Sequence, residues 1–543
     1  MPRKTKTARE IITRADARVE FRPVGDTLRP FVIEDKKIDE AAWAPMPGGQ
    51  SAFLDCPGEV TGGDGVTRGV YEALATGNRG GGKTECLGMI FGRYVGGGFG
   101  EHWRGIISRQ NVDDLRDLKQ KLEALFPEIW PELRGGNRLE SGEKVGFNYA
   151  DDCWVWPTGE RLFLRHLEKS WQFRRYKGWE LPFQGWEELT QWPNDELYLQ
   201  MQSTSRSPIR GIPLMVRGTT NPDGVGRDWV KFRFRLPIAA GRVIGRPIHE
   251  NGHTRLAIRV RLEDNLVLRY TTPNYMQTIA QSATSESQLR AWRDEDWDAV
   301  PGGMFGDLFD AGVHLVEPFE IPKSWRIDRS FDWGSAKPFS VGWWAESDGT
   351  DYRDGRGRIR ASVRGDLFRI AEWYGWTGRP NVGLGITNHE IGRGIVEREV
   401  AAGRYGVVQP GPADCQIFKR ENRPSSIADE MMQNVMVEGR SLPGPRWNRA
   451  DQSPGSRVPG WAMVRSYLEN AKPPAHGGPR EFPGLFAFST CEQFKRLFPA
   501  TQRDDRNRDD VDKGSEDHLQ DEVRYRVKAA GTVVSDGTVI GMY

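Results

Sequence analysis

The chain has 543 residues with 76 Lys+Arg and 75 Asp+Glu, a formal net charge of +1. At roughly 100–200 residues per domain this length predicts two large domains, and the charge balance excludes a uniformly basic nucleic-acid coat, so contact with DNA has to come from local patches. Hydrophobic residues make up 37% and no apolar run of 18 residues occurs, so real cores and no membrane span are expected; the five cysteines form no CxxC pair, which argues against a disulfide framework or a Cys-based zinc site and for a reducing compartment.

Residues 1–45 are polar and basic. Seven Lys/Arg stand against three acids over residues 3–22, which predicts a partly ordered arm able to touch DNA or a partner subunit. The polar, basic N-terminus lacks the apolar stretch of a secretory signal. From about 46 to 310 short apolar runs alternate with helical stretches. YEALATG (71–77), RGIISRQ (104–110) and LMVRGTTN (214–221) are strand candidates; residues 83–95 and 111–126 are helix candidates. Such alternation predicts an α/β fold, a parallel sheet with helices on its faces. Residues 255–310 are expected to form a helical lid or connector. After a linker at 311–325 the pattern restarts, with strands at 326–333, 339–345 and 366–376 and a helix at 388–402. Residues 443–483, rich in Pro and Gly, are expected to be irregular. A helix at 517–530 closes this second domain (326–530) and precedes a tail at 531–543.

Gly77-Asn78-Arg79-Gly80-Gly81-Gly82-Lys83-Thr84 fits G-x-x-x-x-G-K-[ST] without a mismatch. Glycines let backbone N–H groups curl around phosphates, Lys83 reaches the β/γ-phosphates and the Thr84 hydroxyl binds Mg²⁺ of ATP. Arg79 is either a solvated loop residue or an arginine acting in cis on the transferring phosphoryl group. Glu187 and Glu188, after the apolar run at 181–186, are candidates for the metal acid and for the base that activates water. Thr219-Thr220-Asn221 ends a strand, where a γ-phosphate can be sensed. Gln50 is a candidate adenine contact, and Arg109 and Arg210 are candidates for an arginine acting in trans.

The second half carries acids at strand ends and on a helix: Asp332, Asp414, Asp517 and Asp521. Carboxylates converging in this way can hold two divalent cations that clamp a phosphodiester, and hard oxygen donors favour Mg²⁺ or Mn²⁺. Glu372 is a rival for the second acid, with Asp414 preferred. Asp509, Asp510 and Asp512 form an acidic run expected to be solvated.

Taken in order, the phosphate loop, Tyr176-Lys177-Gly178-Trp179 ahead of Glu187-Glu188, Thr219-Thr220-Asn221-Pro222, Gly302-Gly303-Met304-Phe305, Phe331-Asp332-Trp333-Gly334 and Glu516-Asp517-His518 with Arg524-Tyr525 resemble the large terminase subunit of tailed double-stranded DNA bacteriophages. The resemblance implies a P-loop ATPase of the additional-strand-catalytic-glutamate (ASCE) type followed by an RNase H-like α/β nuclease. It implies ATP-driven packaging of double-stranded DNA, docking on a procapsid portal, a small terminase subunit as partner, a homo-oligomeric ring, and a place in the host bacterial cytoplasm. By position Lys83 and Thr84 become the Walker A residues, Glu187 and Glu188 the Walker B acid and catalytic glutamate, and Asp332, Asp414 and Asp517 the nuclease acids, with Asp521 as a fourth. Glu187 stands where the family more often has Asp, and the Arg-rich insert at 348–366 lengthens the gap between the first two nuclease acids. Three rivals remain: a helicase or repair ATPase with a non-catalytic second domain, a non-enzymatic scaffold, and a resolvase or transposase.

Overall fold

The computed structural model describes residues 18–34, 37–299, 302–420, 424–474, 477–504, 507–512, 516–530, 534–535 and 538–539. The basic residues expected at 3–14 and most of the tail at 531–543 lie outside these. Where the arm is described it is no irregular segment: Arg18–Val24 (β1), Thr27–Glu34 (β2) and Lys37–Glu40 (β3) form an antiparallel meander. The alternation in RVEFRPV and TLRPFVIE, obscured by the surrounding basic residues, is the signal.

The chain divides into two compact units, Met1–Pro301 and Gly302–Tyr543. The division precedes the expected linker because Met304 and Phe305 are core residues of the second unit. The Phe305 ring stacks on Phe498 at 4.5 Å, and the Met304 N–H donates to the Thr501 carbonyl at 2.8 Å.

The first unit is built on nine strands: Glu72–Thr76 (β4), Arg104–Arg109 (β5), Gly146–Asn148 (β6), Cys153–Val155 (β7), Arg161–His166 (β8), Phe183–Trp186 (β9), Met215–Thr219 (β10), Ile248–Glu250 (β11) and His253–Arg259 (β12). Their order is β11-β12-β4-β10-β9-β5-β8-β7-β6. The six from β12 to β8 are mutually parallel, and hairpin partners β11, β7 and β6 extend the two edges antiparallel. Central strands such as EALAT and MVRGT are buried throughout, as a sheet covered on both faces requires. Lys83–Gly92 (α2) follows the loop after β4, Gly49–Asp55 (α1) lies beside it, and Val112–Ile129 (α3) follows β5. The expected lid contains Leu266–Thr271 (α4), Tyr275–Ser282 (α5) and Glu286–Asp294 (α6). Its first residues are corrected: β12 is a sheet strand beside β4, although HTRLAIR opens on polar residues and carries Arg255 and Arg259.

The second unit has Leu315–Val316 (β13), Arg326–Asp332 (β14), Ser340–Glu346 (β15), Leu367–Tyr374 (β16), Pro412–Ala413 (β17), Asn448–Arg449 (β18) and Leu485–Phe488 (β19), in the order β13-β19-β16-β15-β14-β17-β18. Strands β14, β15 and β16 are antiparallel neighbours, while β17 and β18 run parallel to β14. Asn388–Ala401 (α7), Arg457–Ala471 (α8), Glu492–Leu497 (α9) and His518–Ala530 (α10) pack around the sheet. Helix α8 corrects the expectation of irregular chain over 443–483; Pro459 and Gly460 sit in its first turn, where a proline is tolerated. The Arg-rich insert forms a small hairpin, Tyr352–Arg353 with Ile359–Arg360. Asp332 faces Ser340 and Arg326 faces Glu346 across β14 and β15, so the hairpin leaves the end of the sheet opposite Asp332, about 20 Å away at ~3.3 Å per residue.

Helix α10 buries an acid against the sheet. Glu522 accepts hydrogen bonds from Ser330, from Ser340 at 3.2 Å, from the Trp344 indole at 3.1 Å and from Arg369. Arg369 Nε also meets Glu372 at 3.3 Å. Breaking a buried pair by removing one partner typically costs about 3–5 kcal/mol. Arg369→Met should therefore destabilise the second unit by about that much, as a shift in the urea unfolding transition. A loss below ~1 kcal/mol, the range of exposed pairs, would show that the pair is not structural.

Candidate functional sites

The phosphate loop joins β4 to α2, and its glycines are demanded by close packing. A Cβ on Gly77 would stand 2.0 Å from the Val260 carbonyl oxygen; Gly82 lies in the left-handed region at φ 72°, where a Cβ would meet the Gln50 amide at 2.4 Å. Gly82 caps α2 without a side chain, so the first N–H groups of the helix are open to an anion. Asn78 is buried: its Oδ1 accepts from the Leu262 N–H at 2.7 Å. Asn265 Nδ2 donates to the Gly80 carbonyl at 2.7 Å, tying the loop to α4.

Lys83 is buried and donates to the Asn78 carbonyl (2.9 Å) and to Asn221 Oδ1 (2.8 Å). Burial pushes its pKa down, against the pull of Glu188, Glu295 and Asp223. The other end of the Asn221 amide donates to both carboxylate oxygens of Glu188 at 3.3 Å. One side chain at the end of β10 therefore links the loop lysine to the glutamate after β9. Thr219 and Thr220 complete the join: Thr219 Oγ1 takes the Glu188 N–H at 3.4 Å, and the Thr220 hydroxyl meets that of Thr190 at 2.8 Å.

Glu188 has φ 53°, a left-handed conformation that non-glycine residues adopt rarely and chiefly at functional turns. Burial raises its carboxyl to about 7, with Lys83 pulling it down and Asp223 pushing it up. Glu187 is fully buried, with Arg109 Nε 2.8 Å from Oε2 in an ion contact not aligned as a hydrogen bond. Burial raises its pKa, while Arg109 and then the neighbouring Thr84 hydroxyl oppose the rise. Thr84 and Glu187 are thus adjacent oxygen donors and fit a magnesium ion carried in with ATP.

Three of the expected residues have partners inside this unit. The Gln50 amide is not free for adenine: it donates to the carbonyls of Gly81 (2.8 Å) and Gly82 (3.2 Å) and accepts from the Met46 N–H at 2.9 Å, so it clamps the loop. Arg79 lies 3.7 Å from the centre of the Trp292 ring and 3.1 Å from Asp223, whose Oδ2 also accepts from the Trp292 indole at 2.5 Å. Arg109, a candidate for action in trans, is buried against Glu187. Arg210 donates to the Gly62 carbonyl at 2.8 Å.

In the second unit Asp332, Asp414, Asp517 and Asp521 line one cavity of about 420 Å³, together with His518, Arg457, Gln452 and Tyr525. Asp332 ends β14 and is buried; its Oδ2 meets His518 Nδ1 at 2.7 Å and its Oδ1 accepts from the Tyr525 hydroxyl at 3.0 Å. The hydroxyl accepts in turn from Gln452 Nε2 at 2.5 Å, and Gln452 Oε1 takes the Cys415 N–H at 3.0 Å. That chain connects Asp332 to the residue after Asp414. Burial drives the Asp332 pKa up, His518 opposes it, and Asp521 and Asp414 add repulsion. Asp517 is raised by burial and then by Asp521. Glu372 is elsewhere, accepting from the Gln493 and Phe494 N–H groups at the start of α9. The hairpin at the far end of the sheet leaves Asp414 beside Asp332.

Among the described residues no three His, Cys, Asp or Glu side chains are gathered into a ready-made cation cage. The donor chemistry of Asp332, Asp414 and Asp517 nevertheless fits a hard divalent ion, since carboxylates that repel one another across one cavity are relieved by a cation. Asp521 does not fit: its oxygens are taken by Arg457 (2.7 and 3.1 Å) and Arg524 (3.1 and 3.0 Å). Asp510, expected to be solvated, accepts from Arg457 Nε at 2.6 Å and from the Trp461 indole at 2.8 Å. Sequence reasoning missed Arg457, Gln452 and Tyr525 as parts of this site; only Tyr525 lay within a motif that drew attention.

No family model and no curated protein matches the chain. Among solved structures it is similar to the large terminase of a thermophilic bacteriophage in complex with ADP, at 14% identity over 84% of this chain and 93% of that one, with a TM-score of 0.30. It is also similar to the HK97 bacteriophage large terminase (11% identity, 88% and 94% covered, TM-score 0.36) and to the P22 large terminase nuclease domain (14%, 42% and 96%, 0.25).

The Asn221 bridge makes a testable demand. Glu188 accepts a proton only when ionised, so ATP turnover should rise with pH through about 7. Glu188→Gln should bind ATP and lose at least ~10²-fold in turnover. Asn221→Ala should also slow turnover while leaving nucleotide binding, read with a fluorescent ATP analogue, within a few-fold. Normal turnover in Glu188→Gln would place the base elsewhere.

Proposed function

We propose that the chain is an ATP-driven motor that moves double-stranded DNA into a viral procapsid and cuts the DNA concatemer, the work of a large terminase subunit. The observation that carries this reading is one chain with two chemistries: a phosphate loop wired through Asn221 to an ionisable buried glutamate, and a separate unit with aspartates around one cavity. The ordered sequence motifs add their resemblance to that family.

In the motor, the loop N–H groups and Lys83 bind the phosphates of ATP. Thr84 and Glu187 would hold Mg²⁺, which neutralises phosphate charge when bound. Lys83 has to leave Asn221 to reach a phosphate, so nucleotide arrival frees the amide that also orients Glu188. Glu188 takes the proton of the attacking water. Release and recapture of Asn221 give the end of β10 two states, and these are the step that couples to DNA. Grip on DNA is to phosphates, because packaging tolerates any sequence.

In the second unit Asp332, Asp414 and Asp517 would hold Mg²⁺ or Mn²⁺, which supplies Lewis acidity at the phosphodiester when bound. Tyr525 and His518 fix the Asp332 carboxylate, and Gln452 ties its position to the Asp414 loop. The partners in this reading are DNA, a portal protein, a small terminase subunit and further copies of the chain in a ring. The setting is the host bacterial cytoplasm, with transient residence on the portal. Among the described residues no helix is long and apolar enough to cross a membrane.

Purified protein incubated with plasmid and Mn²⁺, with ATP turnover followed in parallel, tests the two chemistries separately. Lys83→Ala should abolish turnover and keep cutting; Asp332→Asn should keep turnover and lose nearly all cutting. Turnover without any metal-dependent cutting in the wild type would favour a helicase-like ATPase instead.

A further inference from the structure

Arg457 opens α8 and lines the cavity with the acids. Its guanidinium meets three carboxylates at once: Nε donates to Asp510 at 2.6 Å, Nη1 to both oxygens of Asp521 at 2.7 and 3.1 Å, and Nη2 approaches Asp517 at 3.4 Å. The Trp461 ring lies 5.5 Å from the guanidinium carbon, and the same indole fixes Asp510. The head group is therefore held by its own surroundings, and Nη2 makes one long contact, to Asp517.

Asp521 is the counter-ion of two guanidinium groups, Arg457 and Arg524. A divalent ion ligated by Asp521 would sit against both, an arrangement opposed by like-charge repulsion. Asp332 is bonded instead to His518 and Tyr525, and Asp414 Oδ1 accepts from the Gln416 N–H at 3.0 Å. Among the described residues the cavity thus has an acid side without an arginine in hydrogen-bond reach of Asp332 or Asp414, and an arginine side where the carboxylates are already paired.

We propose that Arg457 is a fixed cation of the cutting site: it occupies the Asp521 side in place of a second divalent ion and binds the scissile phosphate beside a single ion held by Asp332, Asp414 and Asp517. This rests on the nuclease reading above. A guanidinium suits the task because it stays charged and its planar fork matches two phosphate oxygens. Lysine offers the charge without the fork.

The test is a count of bound Mn²⁺ by electron paramagnetic resonance on the full chain without nucleotide, paired with affinity for a short DNA duplex in Ca²⁺. Ions belonging to this site are those lost in Asp332→Asn. The wild type should hold one such ion. Arg457→Gln should leave the count at one, because Arg524 still pairs Asp521, and should weaken duplex binding about tenfold or more, the loss of a charge-assisted contact. Arg457→Lys should keep the count at one and still weaken duplex binding, and Asp521→Asn in the wild-type background should leave the count at one. Two Asp332-dependent ions in the wild type, or an unchanged duplex affinity in a folded Arg457→Gln, would overturn the proposal while leaving the nuclease reading intact. If Arg457→Gln fails to fold, Asp521→Asn decides: a fall in the ion count means that Asp521 is a ligand and the proposal is wrong. No Asp332-dependent ion together with no plasmid cutting would overturn both.

Discussion

The first unit depends on one amide. Asn221 accepts from Lys83 and donates to Glu188, so the loop lysine and the buried glutamate share a neighbour that cannot satisfy a new geometry at one without disturbing the other. The rest of the architecture serves that contact. Strands β4, β9 and β10 must be parallel and close for their C-terminal ends to meet, and all three are buried throughout. The threonines at 219 and 220 pin the backbone on which the amide pivots.

The second unit solves a different problem, the concentration of negative charge. Its acids are separated into two kinds by their partners. Asp510 and Asp521 are neutralised by arginines, whereas Asp332 and Asp414 are held by a histidine, a tyrosine hydroxyl and the backbone. Carboxylates identical in the sequence thereby acquire distinct chemistry, because the energy of an ionised group in a cavity is set by what stands within a few ångströms of it.

How much of this was legible in the sequence follows from the range of the interactions. The phosphate loop is contiguous, and its glycines announce themselves because backbone packing admits nothing larger. Asp332 was visible as the acid at the end of a strand-like run. Helix α8 was not, because Pro459 and Gly460 at its start resemble loop composition, and its first residue completes a site whose other members are distant in the chain. Strand β12 was hidden by its polar start and its two arginines, of which Arg259 pairs with Glu295 inside the unit. Gln50 and Arg79 were recognised as residues of interest, but their partners, Gly81 and Gly82 for the one, Asp223 and Trp292 for the other, are set by tertiary packing that no local pattern encodes.

The hairpin carrying the arginines of residues 353–364 springs from the end of the second sheet remote from the acids. Chain length added between β15 and β16 is therefore accommodated where it perturbs neither the register of β14 nor the approach of β17. A reporter peptide or epitope can be grafted at that point, because the length of the sheet separates it from the end that carries Asp332 and Asp414.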